Sequence, residues 1–403
     1  MLDLRYEKKT TQEQDFINNK VLKNKCKLAL YGSDVFLNIM FKYLTSKNIK
    51  VEAFYPFQSG QIHENLKKIS SEEIKDYTVV ICCENEFLPQ AKKNISNLKC
   101  KSFIFYFDFF LDLKKLSRTD YKKYFPVTFW AVYNLSLNYK FTGRSINKIL
   151  PTVEFVITEK CTLKCKNCAN LMQYYKNPQD ENFKLQTKAL KNLLKSVDKV
   201  LLLRIIGGEP LLNKQLCAYI NAIYKSSVKN KILVCDIVTN GTIVPDKELV
   251  GCMKKYSIVL TASDYGVKSN KFQKILEQSK KEKYFLSLSS EKWTACNKIS
   301  EKYEKNMIPS YINCFMKRFN TIKDGQFFIC PFSAHSKALK AVDKKDVEAV
   351  DLTNNRNIMS DIIAQKKKAF LKVCRYCHIE HKKIEFVKPA LQIKKPLGYK
   401  VFE

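Results

Sequence analysis

Thr158-Glu159-Lys160-Cys161-Thr162-Leu163-Lys164-Cys165-Lys166-Asn167-Cys168 places three cysteines within eight residues, spaced C-x3-C-x2-C. So short a loop can wrap one corner of a cubane iron–sulfur cluster and set a thiolate on each of three irons. The fourth iron is then left without a protein ligand. A structural zinc site takes four protein ligands. A closed ferredoxin cluster takes four cysteines, and its bacterial run is spaced C-x2-C-x2-C-x3-C. Three thiolates and one open position suit a metal that binds a substrate or cofactor directly.

Working outward, the loop follows a strand expected over Thr152–Thr158. Leu190, Leu193, Leu194 and Val197 then mark one helix face. A strand over Val200–Ile206 leads into Gly207-Gly208-Glu209-Pro210, and a helix is expected near Asn213–Ser227. The strand Ile232–Val238 leads into Thr239-Asn240-Gly241-Thr242. The strand Ser257–Ala262 leads into Ser263-Asp264-Tyr265-Gly266. A further unit ends near Tyr284–Ser290, followed by Trp293-Thr294-Ala295-Cys296. Each motif comes just after a strand, and in a (β/α) barrel the chemistry sits at the C-terminal ends of the strands. In the second loop, glycines let a backbone come close, and the Glu209 carboxylate can accept from an ammonium group.

The three-cysteine loop and the Gly-Gly-Glu-Pro loop about 40 residues on resemble the radical S-adenosylmethionine (radical SAM) superfamily. Asn167 stands where that family usually has an aromatic residue. The resemblance implies a partial barrel of about six βα units, with Cys161, Cys165 and Cys168 on a [4Fe–4S] cluster. It also implies that Gly207, Gly208, Glu209 and Pro210 contact the amino group of S-adenosylmethionine. Thr239, Asn240, Ser263 and Asp264 are expected near the ribose and carboxylate of that cofactor, with turn and cap chemistry as the competing explanation. The family reaction is reductive cleavage of S-adenosylmethionine to a 5′-deoxyadenosyl radical, which abstracts hydrogen from a substrate. No catalytic residue beyond the clusters can be named.

The C-terminal part carries Cys314, Cys330, Cys374 and Cys377, with Asp324-Gly325 as the turn of a hairpin between the first two. Four thiolates in two well-separated pairs suit a fully ligated [4Fe–4S] cluster or a zinc ion. The pattern resembles the SPASM extension of radical enzymes in its shorter, twitch form, which implies one auxiliary [4Fe–4S] cluster. His378 is the nearest alternative ligand.

Before the barrel, strands are expected at Lys27–Tyr31, Val51–Tyr55, Thr78–Cys83 and Ser102–Tyr106, alternating with helices. Leu37, Met40, Phe41 and Leu44 form one such helix face. This resembles a small Rossmann-like unit, but Gly32-Ser33-Asp34-Val35-Phe36-Leu37 does not match G-x-G-x-x-G. Asp34 would repel a pyrophosphate, so a structural or docking role is preferred over nucleotide binding. The expected division is residues 1–120 Rossmann-like, 121–150 an aromatic, irregular connector, 151–300 the barrel and 301–403 the auxiliary-cluster domain.

The chain has 403 residues, 15 cysteines and a net charge of +32 from 71 Lys and Arg against 39 Asp and Glu. No secretory signal is evident, so a disulfide framework is not expected and Cys82 and Cys83 read as small buried hydrophobes. The most apolar run, Ser102–Leu113, is interrupted by Asp108 and Asp112 and is too short to span a bilayer. A cytoplasmic protein with no membrane partner is expected. The lysines are scattered and no nucleic-acid motif occurs, which argues against a nucleic-acid partner. The remaining expected partners are a small-molecule substrate, nucleotide-linked or free, and a flavodoxin or ferredoxin electron donor. A sugar, nucleotide-sugar or aminocyclitol that is dehydrogenated or epimerised is the leading substrate class. The alternative is a peptide or protein maturase.

Overall fold

The computed structural model describes residues 20–32, 34–57, 66–83, 88–106, 109, 123–125, 127–138, 148–289, 293–294, 298–302, 307–378 and 386–402. Of the positions named above, Ser33, Asp108, Asp112, Leu113, Ser290, Ala295 and Cys296 lie outside these residues, as do the side chains of Asp34, Val35, Thr294 and His378. The chain forms two compact units, Leu2–Tyr139 and Lys140–Glu403.

The first unit holds β1 (Leu28–Gly32), α1 (Asp34–Ser46), β2 (Ala53–Pro56), β3 (Lys67–Lys68), β4 (Thr78–Cys82), α2 (Leu88–Asn97), β5 (Ser102–Phe105) and α3 (Val127–Asn138). Its strands are all parallel, in the order β3-β2-β1-β4-β5, which is the Rossmann order. The four expected strands are present, and short β3 adds an edge. Leu37, Met40 and Leu44 are buried against the sheet, and Cys82 and Cys83 are fully buried. Gly32 owes its identity to packing: a Cβ there would stand 1.6 Å from the Cys82 carbonyl oxygen of the neighbouring strand. The stretch expected to be an irregular connector instead carries α3, where Phe129, Ala131 and Val132 are buried.

The second unit is built on β6 (Ile149–Thr158), β7 (Lys199–Gly207), β8 (Ile232–Thr239), β9 (Val259–Ser263) and β10 (Leu286–Ser289). Helices α4 (Phe183–Ser196), α5 (Leu216–Tyr224), α6 (Lys247–Tyr256) and α7 (Phe272–Glu282) alternate with them. Val153, Phe155, Leu203, Ile205, Cys235 and Ile237 bury themselves among the helices' apolar faces. The alternate strand positions therefore lie on the opposite face of the sheet.

A sixth parallel strand, β13 (Asn320–Lys323), comes from the cysteine-rich C-terminal part and pairs with the free edge of β6. It turns back into β14 (Gln326–Phe328), which pairs with β15 (Val350–Asp351). Asp324 (φ 49°) and Gly325 (φ 72°) form the two-residue turn. Positive φ at both central positions is the type I′ geometry that an Asp-Gly pair favours. The sheet runs β10-β9-β8-β7-β6-β13-β14-β15. Two short pairs complete it: β11 (Trp293–Thr294) with β17 (Phe386–Val387), and β12 (Lys298–Ile299) with β16 (Cys377–His378).

Candidate functional site

The three-cysteine loop leaves the end of β6 and is braced at its root. Thr158 Oγ1 donates to Asp180 Oδ1 at 2.6 Å, and Lys160 Nζ meets Asp180 Oδ2 at 2.7 Å. Lys323, fully buried at the end of β13, pairs with Glu159 at 2.7 Å and with Glu181. Burial opposes its charge, but the carboxylates of Glu181, Asp324 and Glu159 outweigh that effect and push its pKa up. A buried ammonium needs this compensation.

The second loop packs directly on the first. Gly208 N donates to the Thr158 carbonyl at 3.0 Å, and Glu209 N donates to the Lys160 carbonyl at 2.8 Å. A Cβ on Gly208 would stand 2.3 Å from the Lys160 oxygen, and one on Gly207 would stand 2.1 Å from the Thr158 oxygen. The backbone approach these glycines permit is therefore to the cysteine loop itself. Pro210 opens a single turn that ends at Leu212.

Glu209 has no exposed surface. Its carboxylate accepts from Leu211 N (3.1 Å), Thr239 Oγ1 (3.0 Å) and Asn240 N (2.8 Å). Burial pushes its pKa up to about 7 against those three donors. With these three protein donors the carboxylate joins the loops after β7 and β8. Asn240 continues the chain of contacts. Its Nδ2 donates to Thr162 Oγ1 at 3.0 Å and lies 3.6 Å from Cys161 Sγ, and Thr162 Oγ1 meets Thr242 Oγ1 at 2.6 Å. Ser263 is buried at the end of β9, and its carbonyl accepts from Ser269 Oγ at 3.0 Å. Asp264 is exposed and accepts from Gly266 N at 2.8 Å, the turn chemistry weighed above.

The sulfurs of the loop are met by N–H donors. Leu163 N lies 3.4 Å from Cys161 Sγ, and Gln392 Nε2 lies 3.2 Å from Cys165 Sγ. Burial pushes the Cys161 and Cys165 thiols up to about 12. A metal must therefore displace a firmly held proton from each. All-thiol donors ringed by N–H groups fit iron–sulfur chemistry. Among the described residues, no three His, Cys, Asp or Glu side chains are grouped to hold one metal ion. A cluster that gives each thiolate its own iron asks for a wider spacing.

Cys314, Cys330, Cys374 and Cys377 line a single cavity together with Tyr311, Met316, Phe332 and Val373. Cys330 heads α8 (Pro331–Ala338), Cys374 lies within a 3-10 turn over Lys372–Tyr376, and Cys377 follows that turn. Burial raises the Cys314 and Cys330 thiols and pushes Cys374 up to about 12. The structure thus gathers four thiols, the first and last of them far apart in the chain, into one apolar cavity. Among the described side chains, no carboxylate or imidazole lines it.

The face of the sheet opposite the helices holds residues that the sequence reading passed over. Glu154, Arg204 and Asp236 stand in register on β6, β7 and β8. Arg204 Nε and Nη2 lie 3.2 and 3.1 Å from Asp236 Oδ2, which also accepts from Thr261 Oγ1 at 2.9 Å. All four are buried. The signal was one charged residue in the middle of each of three apolar strands, which packing alone disfavours.

Residues 152–284 match the family described as a 4Fe-4S single cluster domain. No curated protein matches the sequence. Among solved structures, the chain is similar to BtrN in complex with AdoMet and 2-DOIA, at 17% identity and a TM-score of 0.38, over 58% of this chain and 95% of that one. It is similar to anSMEcpe with bound AdoMet at 13% identity and a TM-score of 0.37, over 56% of this chain and 88% of that one. For SuiB of Streptococcus suis bound to precursor peptide SuiA the identity is 13% and the TM-score 0.24, over 70% and 83% of the two chains. The iron–sulfur match begins on the strand that delivers the three-cysteine loop and spans the Gly-Gly-Glu-Pro loop packed against it.

Proposed function

We propose that this protein cleaves S-adenosylmethionine reductively and abstracts hydrogen from a small polyhydroxylated molecule: a sugar, nucleotide-sugar or aminocyclitol. Cys161, Cys165 and Cys168 hold the [4Fe–4S] cluster, which when bound supplies the electron for cleavage. The reading of a polar small molecule is carried by the sheet face opposite the helices. Arg204, Asp236 and Thr261 there present charge and hydroxyl groups within one hydrogen-bonded row. Buried polar side chains of this kind recognise a hydroxylated ligand by pairing with it, and reject an analogue that leaves them unpaired.

Cys314, Cys330, Cys374 and Cys377 hold the second, auxiliary cluster, and a fully ligated cluster supplies a one-electron acceptor. That supports oxidation of an alcohol to a carbonyl. The carbinol carbon would lose a hydrogen atom to the 5′-deoxyadenosyl radical, and the resulting radical would then lose its hydroxyl proton to solvent and one electron to the auxiliary cluster, leaving the carbonyl. The net charge of +32 supports an acidic one-electron donor of the flavodoxin or ferredoxin kind.

The test uses the reconstituted full chain, reduced without oxygen, with 5′-deoxyadenosine quantified against a panel of sugars, nucleotide-sugars and aminocyclitols. Production that rises with one of these, with a carbonyl or inverted product, supports the reading. Production that rises only with peptides replaces it with peptide maturation. No 5′-deoxyadenosine under any condition removes the cleavage reaction itself.

A further inference from the structure

The C-terminal segment over residues 390–402 lies as a strap across the three-cysteine loop. Lys166 N donates to the Leu391 carbonyl at 2.7 Å and Ile393 N donates to the Lys164 carbonyl at 2.9 Å, so Cys165 and Gln392 face each other as an antiparallel bridge. Further along, Leu397 N donates to the Gln173 carbonyl and Phe402 N to the Lys340 carbonyl, both at 2.8 Å. The Tyr399 ring packs edge-on to Tyr174 at 5.6 Å.

Gln392 is held in one orientation. Its Oε1 accepts from Lys164 N at 2.6 Å, and Lys164 N can only donate. Its Nε2 must then carry both remaining contacts, to the Ala390 carbonyl at 2.7 Å and to Cys165 Sγ at 3.2 Å. A flipped amide would set two donors against each other at Lys164 and an oxygen against the sulfur. Cys165 is buried, so water does not substitute for this donor.

We propose that Gln392 is a positioning residue for the radical-generating cluster, donating a hydrogen bond to the Cys165 thiolate and thereby raising the cluster's reduction potential. The inference rests on the assignment of Cys165 as a cluster ligand. A donor to a ligating sulfur draws off electron density and stabilises the reduced, more negative cluster, and hydrogen bonds to sulfur are among the settings of such potentials. The bond runs between residues 227 apart in sequence. The potential of the site is therefore set in part by the far end of the chain.

The experiment is a reductive titration of the reconstituted full chain, followed by electron paramagnetic resonance. The signal that changes on adding S-adenosylmethionine identifies the open-iron cluster. Two variants are compared with wild type. Gln392→Met is neutral and removes the donor; Gln392→Glu keeps the acceptor for Lys164 N and removes the donor. Deuterium exchange over residues 164–168 reports whether the strap stays in place. Both variants should keep their iron and shift to more negative potential, with the reduced-to-oxidised ratio at the wild-type midpoint down about tenfold, or about 59 mV for one electron. A wild-type midpoint in either variant, with iron and exchange protection intact, overturns the proposal. Iron lost from Gln392→Met beside an unshifted Gln392→Glu makes the residue a tether only and overturns it as well. If Cys165→Ala keeps the S-adenosylmethionine-responsive signal, the ligand assignment fails first and the proposal falls with it.

Discussion

Oε2 of Glu209 lies 2.8 Å from the amide nitrogen of Asn240, with the carboxylate wholly shielded from solvent. The contact ties the loop after β7 to the loop after β8, and the first of these is seated on the cysteine loop. Glu209→Gln keeps the shape but sets an NH2 group against at least one protein donor. Leaving a buried group unsatisfied costs about 1–3 kcal/mol. Denaturant unfolding at neutral pH should show a loss of that size, accompanied by reduced 5′-deoxyadenosine formation. Unchanged stability would mean that the carboxylate does not join the loops.

Gly208→Ala is the steric counterpart. The new methyl would meet the Lys160 backbone at 2.3 Å, where no flexible side chain can yield. The cysteine loop must move, at a cost of about 1–3 kcal/mol for overpacking. Iron bound by the Cys161, Cys165 and Cys168 site should fall, while the auxiliary site keeps its share. Full iron content in the variant would contradict this account of the glycine.

Replacing Cys374 and Cys377 together with Ala tests the second set of thiols. Iron should drop by about half, since roughly four of eight atoms belong to that cluster. Some 5′-deoxyadenosine should still form, while oxidised product is lost. A wild type that carries zinc in this cavity would make the site structural and favour a redox-neutral reaction such as epimerisation.

His335 gives a pH dependence. It is fully buried, with Nδ1 2.9 Å from the Tyr175 hydroxyl, and burial, aided by the nearby Lys323, holds its pKa well below the usual 6.5. Below pH 6.5 the unfolded chain takes up a proton that the folded chain refuses, so stability falls as the pH falls. The slope for one such group approaches ~1.4 kcal/mol per pH unit. His335→Phe should be less stable at pH 7, because Tyr175 loses its partner, but its stability should fall less steeply between pH 6.5 and 5. Parallel curves for variant and wild type would rule the group out.

Much of this was legible in the sequence because its causes are local. The C-x3-C-x2-C spacing, the Gly-Gly-Glu-Pro run and the Asp324-Gly325 turn each act over a few residues, and the strands before them are nearly unbroken apolar runs. The partnership of Glu209 with Thr239 and Asn240 was not legible in this way. All three stand out in the sequence as strand-end polar residues, but nothing in a linear pattern says that two strand-end loops will pair with each other. The strap from Gln392 to Cys165 left no local trace at all. The addition of β13 to the free edge of β6 was equally hidden, because strand periodicity reports that a strand exists and not which edge it will join.

That last pairing has a mechanical consequence. Asn320, Thr321 and Ile322 lie in register with Val153, Glu154 and Phe155, on the strand that delivers the three-cysteine loop. The span between the two sets of cysteines is thus set by a covalent hairpin and a backbone ladder, not by a tether free to wander. A chain cut near residue 300 would lose more than its second metal site: it would bare an unpaired strand edge, the kind of surface that recruits other chains. The C-terminal region is in this sense a structural wall of the barrel rather than an accessory to it.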